Sequence, residues 1–134
     1  MRLRKWYHGT TTFIAETILA EGFRFSTSPG IWGQAIYLAD TPEESKTYGE
    51  TLLVVEGDDS KVLVLDYQRD IPVLYPGLSH EEEEASTELR TYCLEHGYLA
   101  ASITYKDGCT HLVVYDLSYF NVIDLENDFS ERFA

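Results

Sequence analysis

The stretch that organises this chain reads Gly30-Ile31-Trp32-Gly33-Gln34-Ala35-Ile36-Tyr37-Leu38-Ala39-Asp40. Two glycines bracket a loop, and the short apolar run that follows it ends at an aspartate. Thr41 comes next as a predicted helix N-cap, with Pro42 at the first helical position. The pattern predicts a strand at 36–38 and a helix at 42–48, and side chains from such a pair of elements converge on one cleft.

The composition indicates a globular protein with an acidic surface. The chain has 134 residues, of which 44% are apolar, and this suits one domain with a real core. Its formal net charge is -13. A general nucleic-acid-binding surface needs a basic patch to replace counterions, so that class is disfavoured, whereas a basic protein partner fits the charge.

The cysteines and the N-terminus predict a cytoplasmic chain. Cys93 and Cys109 are too few for a disulfide scaffold and have no metal-ligand spacing, so we expect reduced thiols and no metal site. The start at 1–5 lacks the apolar stretch of a signal peptide. No apolar run approaches the ~18 residues that a membrane helix requires.

The first third of the chain predicts a strand followed by a helix. Residues 3–7 are expected to form a strand that ends at His8. A helix at 13–21 has Thr11 or Thr12 as its cap, and Gly22 ends it.

The remaining two thirds predict further strands and one long helix. A hairpin is expected from strands at 51–56 and 61–66 around a turn at 57–60. A mainly loop segment at 70–77 and a helix from Ser79 to about His96 follow. Strands at 99–105 and 111–116 are expected to pair around a turn at Asp107-Gly108, and a last strand lies at 122–125. About six strands and two or three helices result. Because they do not alternate regularly, they predict an α+β fold.

These elements together resemble ADP-ribosyltransferases of the diphtheria-toxin and poly(ADP-ribose) polymerase type. Tyr7-His8-Gly9-Thr10 resembles the His-Gly-Ser/Thr strand end of the family, and 33–40 resembles its Gly-x-Gly-Ile-Tyr-Phe-Ala strand. Ser45 lies eight residues after Tyr37, and Tyr48 lies eleven after it, at the family's spacing for the nicotinamide pocket. The segments 18–24 and 111–116 resemble the family's second motif and its catalytic-glutamate strand.

The resemblance implies one ADP-ribosyltransferase-like domain over 1–134, with split, mostly antiparallel sheets around an NAD cleft. It implies an NAD-dependent mono-ADP-ribosyltransferase that releases nicotinamide and modifies a protein acceptor. It also implies catalytic roles for His8, Tyr37 and His111. The implied NAD-binding set is His8, Gly9, Thr10, Arg24, Tyr37, Ala39, Ser45 and Tyr48.

In the family, a histidine at the position of His8 contacts the adenine-side ribose, and Gly9 offers backbone hydrogen bonds to the nicotinamide amide. Tyr37 and Tyr48 would enclose the nicotinamide ring, because an aromatic face suits a flat cationic ring. Ser45 would hydrogen-bond the carboxamide, and Arg24 would reach a phosphate. Each residue also has a purely structural interpretation, such as core packing for the tyrosines or an exposed surface position for the arginine.

His111 is the main departure, since it stands where the family has its catalytic glutamate. A neutral imidazole still accepts a hydrogen bond from the ribose, whereas a protonated one repels the developing cation. Because histidine titrates near pH ~6.5, a mechanism that uses His111 is expected to fail in mild acid. Asp107 or Asp116 would otherwise supply a carboxylate, and His111 would then be a cross-strand packing residue.

Three other functions remain open at this point. The chain could be an NAD-binding or ADP-ribose-binding module without turnover, or an NAD glycohydrolase with water as the acceptor. Transfer to nucleic acid is the third, and the acidic charge weighs against it because phosphate contacts need lysine or arginine. The sequence leaves the acceptor and the oligomeric state open.

Overall fold

The computed structural model describes residues 3–25, 32–45, 49–74 and 82–126, with side chains described outside 74, 82–88 and 121–126. The strands are β1 (Leu3–Thr10), β2 (Ile36–Ala39), β3 (Thr51–Asp58), β4 (Val62–Asp66), β5 (Ala100–Thr104), β6 (Thr110–Val114) and β7 (Phe120–Glu126). The helices are α1 (Thr12–Glu21), α2 (Pro42–Ser45), α3 (Tyr67–Leu74) and α4 (Glu82–Glu95). Each of the seven strands lies on one of the segments predicted to be a strand, and α3 is a helix that was not predicted.

The strands form one mixed sheet in the order β4-β5-β6-β2-β1-β3-β7. β4 and β5 run parallel, and every other neighbouring pair is antiparallel. The predicted α+β class and the mostly antiparallel pairing are confirmed, whereas the expected split into separate sheets is wrong, because all seven strands belong to one sheet. β1 and β2 pair only at Tyr7 and Ala39. The sheet therefore has a four-strand part, β4-β5-β6-β2, and a three-strand part, β1-β3-β7. Among the described residues, strand pairing joins the two parts only at this pair of residues.

Two predicted helix starts are present, and both depend on a threonine cap. The Thr11 hydroxyl accepts a hydrogen bond from the Ile14 N–H at 3.3 Å, which opens α1. Gly22 ends α1 with a φ of 86° and donates to the Ile18 carbonyl. The Thr41 hydroxyl accepts from the Glu44 N–H at 3.3 Å, which holds the single turn of α2 against the end of β2.

Two buried clusters form the core, and the alternation of strand side chains divides residues between them. In β2, Ile36 and Leu38 belong to the first cluster while Tyr37 packs against the second. The first cluster includes Trp6, Ala15, Ile18, Phe23, Leu53, Val55 and Leu112. The second includes Trp32, Leu65, Ile71, Leu89, Cys93, Ile103 and Val113. α1 covers the first cluster, and α3 and α4 cover the second.

The predicted hairpin between 51–56 and 61–66 is wrong. β3 pairs with β1 and β7, whereas β4 lies at the far edge of the sheet and pairs with β5. The connection is a 3-10 helix at Asp59–Lys61, capped by the Asp58 carboxylate, which accepts from the Ser60 N–H. This connection carries the chain away from β3 and does not reverse it beside that strand.

The predicted loop at 70–77 is wrong as far as Leu74, because α3 spans that part and has Pro72 inside it. Two side chains favour the helix despite the proline. The Asp66 carboxylate accepts from the Arg69 N–H at 2.9 Å in the first turn, and Ile71 is buried in the second cluster. Tertiary burial thus outweighs the usual effect of proline in a helix.

Several predictions fall on parts of the chain outside the described residues. They are the loop at 26–31, the end of the helix at 46–48 and the cap at Ser79. Within the described residues, every helix is too short or too polar to span a bilayer.

Candidate functional site

A cleft of about 870 Å³ lies where β1 meets β2, next to α2 and the hairpin of β5 and β6. This volume is typical of a small-molecule site, which usually encloses ~300–1,000 Å³. We call it the central cleft. Its lining residues are Tyr7, His8, Gly9, Thr10, Tyr37, Leu38, Ala39, Glu44, Ser45, Tyr105, Asp107, Cys109 and His111.

His8 is fixed in one tautomer by the neighbouring strand. Its Nδ1 lies 3.0 Å from the Tyr37 carbonyl oxygen, and because a carbonyl only accepts, Nδ1 carries the hydrogen. Nε2 is then the acceptor of the neutral ring. Burial lowers the pKa of His8, which favours this neutral form, and the Phe23 ring contacts the imidazole edge-on at 5.4 Å. The cleft therefore contains an oriented imidazole acceptor.

Gly9 and Ser45 bring the end of β1 into close contact with α2. A Cβ added at Gly9 would overlap the backbone carbonyl of Ser45, so only glycine fits there. The buried Ser45 hydroxyl donates to the Tyr7 carbonyl at 2.8 Å. The strand end and the helical turn therefore form one wall of the central cleft.

Tyrosine hydroxyls hold the segment before β2 in place. Tyr37 donates to the Gly33 carbonyl at 2.8 Å and accepts from the Trp32 N–H at 3.0 Å, while Tyr115 donates to the Trp32 carbonyl at 2.7 Å. The Trp32 indole N–H donates to the Tyr105 hydroxyl at 3.0 Å. Burial raises the pKa of Tyr37, so its phenol stays protonated and the ring remains a neutral aromatic wall.

His111 is paired with a carboxylate from another element. Its Nε2 lies 3.2 Å from Oε1 of Glu44, which α2 supplies. The Cys109 thiol donates to the other Glu44 oxygen, with Sγ and Oε2 3.7 Å apart. Burial and the nearby carboxylates of Glu44 and Asp107 raise the pKa of Cys109, which disfavours a thiolate. This cysteine is therefore a neutral donor and a poor nucleophile.

Most of the sequence-predicted site residues meet at the central cleft. Those that line it are His8, Gly9, Thr10, Tyr37, Ala39, Ser45 and His111. Arg24 lies outside the lining, with 76% of its side chain exposed and a 3.9 Å ion pair to Glu21. Tyr48 lies outside the described residues. A phosphate contact for Arg24 and a stacking contact for Tyr48 thus remain predictions.

The two alternative carboxylates have different positions. Asp107 lines the central cleft, as its place in the turn before His111 suggested. Asp116 is not part of the lining, and its carboxylate accepts from the Ser118 N–H at 2.9 Å at the start of a 3-10 helix. Among these two, only Asp107 is placed to influence a bound ligand.

Sequence reasoning missed Glu44 and Tyr105 as cleft residues. From the sequence, Glu44 has only the role of a negative charge that favours the start of the helix predicted at 42–48. The signal that would have indicated a place in the cleft is its position directly before Ser45, in the turn that the Thr41 hydroxyl caps. Tyr105 precedes the β5–β6 turn, and its ring lies 5.2 Å from the His111 ring.

The lining of the central cleft is aromatic and acidic. Tyr7, Tyr37 and Tyr105 supply rings, and Glu44 and Asp107 supply carboxylates, while the described residues of the lining include no lysine or arginine. Such a surface favours a flat cationic group over an anion. In the described part of the chain, no three metal-ligating side chains come together to hold an ion.

The oriented imidazole predicts a specific dependence of stability on pH. The pKa of His8 is lower in the folded chain than the ~6.5 expected when unfolded, so the unfolded chain binds more protons in acid. The free energy of unfolding should therefore decrease as the pH falls through ~6.5, until folded His8 itself becomes protonated. Urea unfolding of wild type and of His8→Asn across this pH range measures the free energy of unfolding. If that free energy depended on pH identically in the two proteins, the prediction would be contradicted.

Comparison with known proteins identifies a similar fold. No family model and no curated protein matches this chain. The crystal structure of an anti-CRISPR protein is similar, with a TM-score of 0.50 and 15% sequence identity, over 92% of this chain and 94% of that chain. At this identity, the similarity concerns the fold alone.

Proposed function

We propose that this protein is an NAD-dependent mono-ADP-ribosyltransferase with an ADP-ribosyltransferase-like fold, which modifies a protein acceptor and releases nicotinamide. One observation carries the proposal. The hydrogen bond from His8 Nδ1 to the Tyr37 carbonyl joins the two motif strands, and both side chains line the cleft beside Gly9 and Ser45. Two motif residues that are 29 positions apart thus meet at one cleft, and this contact supports the proposal.

The nicotinamide end of NAD suits the central cleft best. That ring is flat and cationic before cleavage, and the lining offers aromatic faces and the carboxylates of Glu44 and Asp107. The backbone of Gly9 and the hydroxyl of Ser45 lie on one wall of the cleft. The Ser45 hydroxyl already donates to the Tyr7 carbonyl, so toward the carboxamide it would act as an acceptor. The pyrophosphate is anionic and would lie beyond this acidic lining, where Arg24 stays a candidate.

The residues of the cleft have separate roles in this scheme. The C–N bond between nicotinamide and ribose breaks with its electron pair on nicotinamide, and positive charge develops on the ribose. The Nε2 acceptor of His8 would hold a ribose hydroxyl, and Tyr37 would stack on the nicotinamide ring. The negative charge of Glu44 and Asp107 favours the developing cation electrostatically.

An experiment with two histidine variants tests the proposal. The purified chain is incubated with NAD labelled in the adenylate part and with protein extract, and both nicotinamide release and labelled protein are measured. We expect activity in wild type and its loss in His8→Ala. His96→Ala is the matched control, because His96 also bonds a carbonyl through Nδ1, at 2.8 Å, but is exposed after α4. Absent label, or equal label in all three chains, would exclude the transferase.

His111 favours one alternative, a module that binds NAD or ADP-ribose without turnover. Its imidazole stands at the family's glutamate position and is already engaged by Glu44 at 3.2 Å. Calorimetry with NAD distinguishes the two functions. Saturable binding without any nicotinamide release supports the binding module, and turnover excludes it.

The acceptor class can be narrowed for the first assays. The net charge of -13 favours a basic protein over a nucleic acid as the partner. Purified basic proteins are therefore the first acceptors to test, with an acidic protein as the comparison.

A further inference from the structure

The pair formed by Glu44 and His111 has a geometry that suits proton transfer. A carboxylate only accepts hydrogen bonds, so at a separation of 3.2 Å the hydrogen lies on His111 Nε2. In the neutral ring, Nδ1 then has a free lone pair. No hydrogen bond to this Nδ1 is found among the described residues, and 27% of the His111 side chain is exposed. The ring is therefore accessible from the cleft.

Glu44 is held in place from several directions. The Thr41 hydroxyl accepts from its backbone N–H, and the Cys109 thiol donates to its second carboxylate oxygen. Its partner His111 comes 67 residues later in the chain and has the Tyr105 ring at 5.2 Å. Two distant segments thus place one imidazole and one carboxylate side by side on the wall of the cleft.

We propose that His111 accepts the proton of the acceptor nucleophile, and that Glu44 is the positioning residue that orients the imidazole and stabilises its protonated form. The inference rests on the proposed transferase function. The nucleophile forms a bond to the ribose carbon as nicotinamide leaves with the electrons of the broken bond, and the proton of the nucleophile passes to Nδ1. In Ser-His-Asp triads, a buried aspartate likewise orients the histidine and stabilises its protonated form.

This arrangement explains how a histidine can stand at the family's glutamate position. A lone imidazolium would repel the ribose cation, as the sequence suggested. Beside Glu44, the pair has a net charge of minus one before proton transfer and zero after it. The pair therefore favours the cation first and removes the proton afterwards, without placing a net positive charge next to the ribose.

Nicotinamide release with water as the acceptor tests the pair directly, and calorimetry measures NAD affinity separately. Glu44→Gln keeps the size of the side chain but removes its charge, and Glu43→Gln is the matched control on the exposed side of the same turn. We expect kcat to fall about 10-fold in Glu44→Gln and in His111→Asn. NAD affinity should stay within about twofold of wild type in His111→Asn and weaken in Glu44→Gln, because the Glu44 charge also faces the cationic nicotinamide. The loss in the double variant should be smaller than the product of the two single losses, because acceptance of the proton needs both residues.

The outcomes separate this inference from the function on which it rests. Wild-type turnover with equal rates in Glu44→Gln and Glu43→Gln overturns the role of Glu44 and leaves the transferase standing. Absence of wild-type turnover both with water and with protein extract as the acceptor overturns the transferase itself. Nitrogen NMR of the imidazole gives a readout without substrate. An Nε2–H tautomer in wild type that is lost in Glu44→Ala, which leaves no acceptor beside the ring, supports the pair, and an Nδ1–H tautomer in wild type overturns it.

Discussion

His8→Asn is expected to lower kcat/KM for NAD about 100-fold while the fold stays intact. The asparagine amide nitrogen occupies nearly the place of Nδ1, so it can still donate to the Tyr37 carbonyl that Nδ1 contacts at 3.0 Å. Nothing in the variant replaces the Nε2 acceptor. The fall in kcat/KM therefore measures the loss of the ribose contact, because the hydrogen bond between β1 and β2 is kept. Nicotinamide release measures the rate, and thermal unfolding checks the fold.

His96→Asn is the control for this variant. Its Nδ1 also lies near a backbone carbonyl, that of Tyr92, at 2.8 Å, but the residue is exposed and does not line the central cleft. We expect wild-type rates from it. A His8→Asn protein that is folded and as active as His96→Asn would contradict the assigned role of Nε2.

Gly9→Ala is expected to lower the free energy of unfolding by about 3 kcal/mol and to abolish NAD turnover. The added Cβ would overlap the backbone carbonyl of Ser45, which no side-chain rotation relieves. Moving α2 away would break the 2.8 Å hydrogen bond from Ser45 to Tyr7 and would separate Glu44 from His111. Urea unfolding measures the stability, and nicotinamide release measures the function.

Gly108→Ala provides the comparison. A Cβ at Gly108 meets nothing within 4 Å, but the backbone φ of +89° disfavours it, so we expect a cost of about 1 kcal/mol with turnover retained. If Gly9→Ala were no less stable than Gly108→Ala, the close approach of β1 and α2 would not be required for the fold.

The sequence predicted local elements well where a residue type has a specific structural role, such as a helix cap or a tight turn. Thr11 or Thr12 was expected to begin α1 and Gly22 to end it, and Thr11 and Gly22 do so through their hydrogen bonds. The Asp107-Gly108 turn was expected between two antiparallel strands, and β5 and β6 pair on either side of it. These signals are short in range and need no knowledge of the rest of the chain.

Strand pairing was harder to predict, because it depends on partners that are distant along the chain. β3 and β4 are adjacent in sequence and lie in different parts of the sheet. Both are apolar runs flanked by turn residues, so their patterns fit a hairpin as well as the observed arrangement. Tyr119 packs where a Cβ on Gly57 would be, within β3, and the sequence gives no local sign of that contact.

By itself, the sequence determined the α+β class, the capped turn after β2 and the candidate site residues. Composition, caps and motif spacing are properties of the chain alone. Only the tertiary structure decided that Glu44 meets His111 and that His8 Nδ1 meets the Tyr37 carbonyl. Those contacts join residues 67 and 29 positions apart. Their distances follow from sheet order and helix packing, which arise from many weak contacts acting together and not from any single motif.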